Sequence, residues 1–215
     1  LMYGQEARRI GWLQKVQQAA WTLLYTLQQN NSQIYAIEHP VTGTVGAMEL
    51  KGVIDLVLER RQGERVEYAI VDLKWSGKQH FLRKMSNGED LQLVIYSKLL
   101  GLGVDWAHTA YYTISTETFI ARNRKAFRSA QVTPETEQSF QTLHQAIWDK
   151  IEATYQWRLE EIRTGRIEVR TEDTLEELED WLQDNISFER LLQLLEMKQE
   201  SARYDDYRVL TQRVR

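Results

Sequence analysis

Cysteine is absent from this 215-residue chain. That excludes a disulfide framework, a thiolate zinc site and a cysteine-ligated iron–sulfur cluster. It fits a reducing compartment, and the cytoplasm is the expected location. No run of 18 apolar residues occurs, and the first thirty residues mix Arg, Lys and Gln among the apolar ones. Neither a membrane span nor a signal peptide is expected. A basic excess is missing too, since 27 Lys and Arg against 31 Asp and Glu leave a net charge of −4. Proteins that passively coat a duplex are usually basic, so this argues against that class. It leaves room for an enzyme whose carboxylates hold a metal and whose local basic patch holds phosphates. What the chain does have is bulk: seven Trp and ten Tyr within a 42% hydrophobic, 27% charged composition, enough for a proper core. It opens on Leu1-Met2 inside a helical pattern, which leaves open whether the chain is a fragment of a longer protein.

Ile10, Leu13, Val16, Ala20, Leu23, Leu24 and Leu27 recur at three- and four-residue spacings, which predicts a helix over 3–29, stopped by Asn30-Asn31-Ser32. A short strand at 34–39 is expected to close in a turn at Pro40 and Gly43. Val45 to Arg60 reads as a strand, Gln62-Gly63 as a tight turn and Val66 to Trp75 as its hairpin partner. Ser76 to Gly88 reads as a polar, basic loop, Glu89 to Leu100 as a short helix ended by Gly101 and Gly103, and Trp106 to Ser115 as the last core strand. Thr133-Pro134-Glu135 is expected to start a helix running to about Arg163, with a second helical stretch over 174–199 recapped at Ser187. The organisation expected is a domain over 1–132 and a helical extension over 133–215.

The central hairpin carries the chemistry. Side chains two apart on a strand share a face, so Asp72 and Lys74 project together. With a turn centred on Gln62-Gly63, Asp55 faces Ile70 and lies one diagonal step from Asp72, about 7–8 Å away. A three- or five-residue turn would instead put Asp55 on the opposite face unless a bulge restored it. Two carboxylates suit a hard cation such as Mg²⁺, which acidifies water and offsets charge on phosphorus. A nearby lysine stabilises the developing negative charge. An Asp on an apolar strand is costly unless paired or metal-bound, and here two such strands each carry one.

Gly52-Val53-Ile54-Asp55, Val71-Asp72-Leu73-Lys74 and Gln92-Leu93-Val94-Ile95-Tyr96 together resemble the PD-(D/E)xK nuclease superfamily. The resemblance is nearest to its RecB-like branch, the nuclease domains of bacterial helicase–nucleases and CRISPR-associated exonucleases. It covers about residues 34–115. It implies an α/β, restriction-endonuclease-like core, a mixed β-sheet flanked by helices, here with a helical C-terminal extension. It implies Asp55 and Asp72 as metal ligands, Lys74 as the catalytic lysine, and Gln92 and Tyr96 as supporting residues on one helix face. The cofactor implied is Mg²⁺ or Mn²⁺, the substrate DNA, the setting repair, recombination or defence, with a helicase or other motor as partner. RecB-like members usually carry a His on the preceding helix as a further ligand. No His precedes His39 in this chain, and Glu6 is the helical acid that could take that place.

Blander readings stand beside these. Asp55, Asp72 and Lys74 could form a salt-bridged hairpin on a solvated face, or belong to an inactive nuclease fold that binds nucleic acid or a partner protein. Glu38 and Glu49 read as structural or solvent-facing, and His39, His80, His108 and His144 show no ligand spacing. Lys78, Arg83 and Lys84, and the later Arg122, Arg124, Lys125 and Arg128, are either solvated surface or a grip on a nucleic-acid backbone. Tyr155, Trp157 and Trp181 read as core or partner interface. Asn185-Ile186-Ser187 matches a glycosylation acceptor, which means nothing without a signal peptide.

Overall fold

A computed structural model describes residues 6–165 and 193–195. Its elements run α1 (Glu6–Gln29), β1 (Gln33–Val45), β2 (Met48–Gln62), β3 (Arg65–Lys74), α2 (Lys78–Ser86), α3 (Leu91–Leu99), β4 (His108–Thr113), β5 (Thr118–Ala121), β6 (Gln131–Val132) and α4 (Phe140–Arg163). The six strands make one mixed, open sheet in sequence order. β3 and β4 pair in parallel, a connection that needs a crossover, and α2 and α3 supply it. The result is the expected α/β architecture of a mixed sheet with flanking helices. By its contacts the chain divides into two units, Leu1–Ile147 and Trp148–Arg215, and the sheet lies wholly in the first.

The strands are apolar on both faces because both faces are covered. On one side Leu56, Leu58, Val71, Ala110, Tyr112 and Phe119 cluster with Ala19 and Leu27 of α1, and the Tyr112 hydroxyl donates to the Ala19 carbonyl at 2.7 Å. On the other, Val41, Val57, Ile70, Tyr111 and Ile120 cluster with Met85 of α2 and Leu93 of α3. At about 25 cal/mol per Å² of apolar surface these two layers are the main favourable contribution. In the second unit Trp157 and Leu194 are buried, and the Leu195 N–H donates to Thr154 Oγ1 at 2.8 Å.

Several elements differ from the sequence reading. β1 does not stop at 39: Pro40 pairs with Val53 and Gly43 with Leu50. Proline is tolerated because β1 is an edge strand, and Gly43 leaves room for the Leu99 side chain, which a Cβ would strike. The segment expected as a basic loop after Lys74 is mostly helix α2. Its Phe81, Leu82 and Met85 form a short apolar stripe against the sheet, and Gly77, at φ 97°, turns the chain into it. β4 is not the last strand, since β5 and β6 follow it. α4 starts at Phe140 rather than Pro134, because Ser139 caps it by accepting the Thr142 N–H at 3.1 Å. Of the stretch expected as a helix over 174–199, only 193–195 are described, and they form a turn and bend. Ser187, Trp181, Asn185 and the first residues of the 3–29 helix lie outside the described residues. Among the described residues no helix is long and apolar enough to cross a membrane.

Candidate active site

The geometry begins at a two-residue turn. Gln62 pairs with Arg65, so the turn is Gly63-Glu64, one residue later than the sequence suggested. Gly63 has the positive φ, 62°, that a type II′ hairpin requires at its first central position. Turn parity is unchanged, but the register moves: the last pair is Leu56↔Val71, and the next step brings Asp55 opposite Asp72, not Ile70. There the ladder ends. Asp55 Oδ2 accepts the Leu73 N–H at 2.7 Å, taking the place of a backbone carbonyl, while β3 stays paired to β4 through Asp72↔Tyr111 and Lys74↔Thr113. The hairpin opens at the point where the two aspartates meet.

β2 is irregular at the same place. Ile54 and Val57 both belong to the α2/α3-side cluster, whereas Leu56 and Leu58 belong to the α1-side cluster. The two-residue period therefore slips at Asp55. Across the sheet Ile37 pairs with Leu56 and His39 with Ile54 in one register, and the intervening Glu38, opposite Asp55, sits at φ 52°. A non-glycine residue in the left-handed region costs about 1–2 kcal/mol. Such strain collects where a chain must be re-aimed for function.

Asp72 is 3% exposed. Lys74 Nζ lies 2.7 Å from its Oδ2, an ion pair by distance, yet that oxygen has no donor aligned for a hydrogen bond. Burial pushes the Asp72 carboxyl above its ordinary range; the Lys74 ammonium opposes this and the Asp55 carboxylate adds to it. Two hard oxygen donors, one of them buried against the Lys74 ammonium, fit a divalent cation in chemistry and charge. Among the described residues no group of three His, Asp or Glu side chains converges. Glu6, exposed in the first turn of α1, is therefore not gathered with Asp55 and Asp72.

α3 lies alongside. Gln92 Nε2 donates to the Tyr96 hydroxyl at 3.2 Å, so the two form one unit on the helix. The Tyr96 ring packs onto β2 at Gly52, where a Cβ would sit 2.5 Å from Tyr96 Cε1. Gly52 thus lets the helix approach the strand that carries Asp55. Below the site lies a buried ion pair, Asp90–Arg122, with side chains 0% and 2% exposed. Asp90 immediately precedes α3 and Arg122 follows β5, so the pair ties the start of α3 to the sheet. Tyr111, beside Asp72, is buried with its hydroxyl unpartnered, and burial together with Asp90 and Asp72 pushes it far above its ordinary value. Sequence reading missed Asp90 and Tyr111, and it set Arg122 on the surface; no local spacing links residues 72, 90, 111 and 122.

The remaining cations fall into two groups. Lys84, on α2, is close enough to Asp72 and Asp90 to lower both carboxyls. Lys78 is half-buried at the start of that helix and Arg83 is exposed on it. Arg124 and Lys125 are exposed in the loop after β5. The histidines serve no common site: His80 is exposed and edge-on to Phe81, while His108 and His144 are buried.

No curated protein matches this chain. The sequence profile of the PD-(D/E)XK nuclease superfamily matches residues 4–184, a span that contains the whole sheet, the Asp55–Asp72–Lys74 constellation and α3. The chain belongs to the PD-(D/E)XK nuclease superfamily.

Proposed function

We propose that this protein is a divalent-metal-dependent nuclease that hydrolyses phosphodiester bonds in DNA, with Asp55, Asp72 and Lys74 as its reaction centre. The observation that carries the reading is the hairpin opening, where a buried Asp72 meets Asp55 and a lysine 2.7 Å away. Asp55 and Asp72 would hold Mg²⁺ or Mn²⁺. Such a cation, when bound, supplies Lewis acidity: it acidifies water and offsets charge on phosphate oxygens. Lys74 stabilises negative charge as it develops on the phosphate. Gln92 and Tyr96 orient the substrate beside β2, and Lys78, Arg83 and Lys84 on α2 hold the flanking phosphates. Lys125 with its neighbour Arg124 lies by Arg60 toward the other end of β3, where it would meet only a longer stretch of backbone. Arg122, being buried, holds α3 rather than substrate. The Gln92–Tyr96 pair is the feature that favours the RecB-like branch, and with it a cytoplasmic role in repair, recombination or defence beside a helicase or other motor.

One observation favours a second reading, an inactive nuclease fold that binds nucleic acid or a protein: among the described residues no third acidic side chain joins Asp55 and Asp72. Two can suffice, because Mg²⁺ is commonly held by one or two carboxylates together with substrate phosphates and water. The test compares wild type with Asp72→Asn and Lys74→Ala on single-stranded, duplex, linear and circular DNA and on RNA, with Mg²⁺, Mn²⁺ or EDTA. The expected result is cleavage that needs the metal and falls about 100-fold or more in either variant. Cleavage that persists in both variants would overturn the site assignment, and no cleavage of any substrate by wild type would favour the binding module.

A further inference from the structure

The first turns of α1 run past the sheet. Every residue from 8 to 14 is exposed, and from there on the first buried side chain of the helix is Ala19. This overhang meets the sheet through Trp12, which stacks on Trp75 with ring centroids 5.7 Å apart and planes inclined by 25°. Both rings remain open to solvent, Trp12 51% exposed and Trp75 44%. Trp75 directly follows Lys74 in the chain, but its ring meets α1 on one side of the sheet while Lys74 lies over Phe81 of α2 on the other. The Trp75 backbone is fixed, because its carbonyl accepts the Ser115 N–H at 2.8 Å. Arg8 and Arg9, both exposed, lie four and three residues before Trp12 and so share its side of the helix.

A packing role alone would favour burying two indoles, the largest apolar side chains available. Here they stand half in water at the end of the strand that carries Asp72 and Lys74. Exposed aromatic faces beside cations are the arrangement that holds single-stranded nucleic acid, since bases stack on the rings while the cations follow the backbone. A duplex offers its bases no free faces for this.

We propose that Trp12 and Trp75, with Arg8 and Arg9, form a base-stacking subsite that holds an unpaired nucleotide of a single-stranded substrate on the α1 side of the sheet, at the end of the strand that carries Lys74. The inference rests on the nuclease reading for its biological meaning, but its test does not depend on cleavage.

The probe is a fluorescein-labelled thymidine oligonucleotide, compared with an abasic oligomer of equal length and charge and with a blunt duplex, by anisotropy in EDTA on the full chain. Wild type is expected to bind the thymidine strand about ten-fold or more tightly than the abasic one. Trp12→Ala and Trp75→Ala should remove that preference and leave the abasic affinity unchanged, while Trp12→Phe and Trp75→Phe keep part of it. Trp21→Ala, on the same helix and not stacked on Trp75, should retain it fully. Misfolding would lower both affinities, so an unchanged abasic affinity in the alanine variants separates loss of stacking from loss of fold. Equal wild-type affinity for the two strands, or a preference that survives both alanine changes, overturns the proposal. Failure of the nuclease reading would instead appear as absent cleavage in Mg²⁺ and Mn²⁺, whatever the binding ratio.

Discussion

Gly52 shows how little room the candidate site leaves at the scale of a single residue. A methyl group there would lie 2.5 Å from Tyr96 Cε1 and 3.2 Å from Cζ, so Gly52→Ala must push the ring off β2. Overpacking of this kind costs about 1–3 kcal/mol, and it would move the Tyr96 hydroxyl away from Gln92. The expected outcome is a modest drop in melting temperature with a larger loss of nuclease activity. A second change, Tyr96→Phe, leaves the ring seated and removes only the hydroxyl, so it should keep stability while affecting activity. Equal losses in both properties for the two variants would mean that Tyr96 only packs. Asp72 and Lys74 could be read from the sequence because alternation along one strand is purely local. Asp55 needed the turn as well, and an error of one residue in the turn's position changed its partner while preserving its parity.

At the scale of elements, the buried Asp90–Arg122 pair is the part that sequence could not reveal. Arg122 stands among Arg124, Lys125 and Arg128, and a run of cations reads as surface until β5 is known to end beside α3. α2 was hidden by the same kind of composition: its lysines and arginine dominate a nine-residue helix whose apolar stripe is only three residues. β5 and β6, at four and two residues, are too short for any periodicity to emerge. Removing one member of a fully buried ion pair strands the other, typically at a cost of about 3–5 kcal/mol. Arg122→Ala should therefore lower the urea midpoint sharply. The double change Asp90→Leu, Arg122→Met should recover much of that loss, because it removes the stranded charge. Restored stability without restored activity in the double variant would identify the pair as a device for orienting α3. A double variant no more stable than Arg122→Ala would refute the account of a stranded charge.

For the molecule as a whole, two buried histidines predict how the fold responds to acid. Burial, with Arg122 and His108 nearby, holds His144 down to about 3. Burial, aided by Arg60 and Lys125 against Glu67, holds His108 down to about 4. His144 Nε2 meets Thr109 Oγ1 at 3.2 Å, and the His108 ring lies 4.3 Å from that of Phe140, so both are neutral packing partners in the fold. In the unfolded chain each takes up a proton near its ordinary 6.5. Between that value and about 4 the unfolded state binds more protons than the folded one, so stability is intact above 6.5 and drains away as pH falls. At pH 5 the loss is about 2 kcal/mol per histidine. Asp72 and Asp90, held above their usual range mainly by burial, work in the opposite sense. Their folded forms keep a proton that the unfolded chain releases, so they add stability as pH falls through their raised values. The two aspartates are common to wild type and to a His144 variant, so the difference between the two proteins isolates the histidine's share of the slope between pH 7.5 and 5. Between pH 7.5 and 5 the urea midpoint of wild type should fall relative to that of His144→Gln, which can still bond to Thr109 but does not titrate. If both proteins lose the same stability between pH 7.5 and 5, the acid sensitivity comes from elsewhere and His144 is not its source.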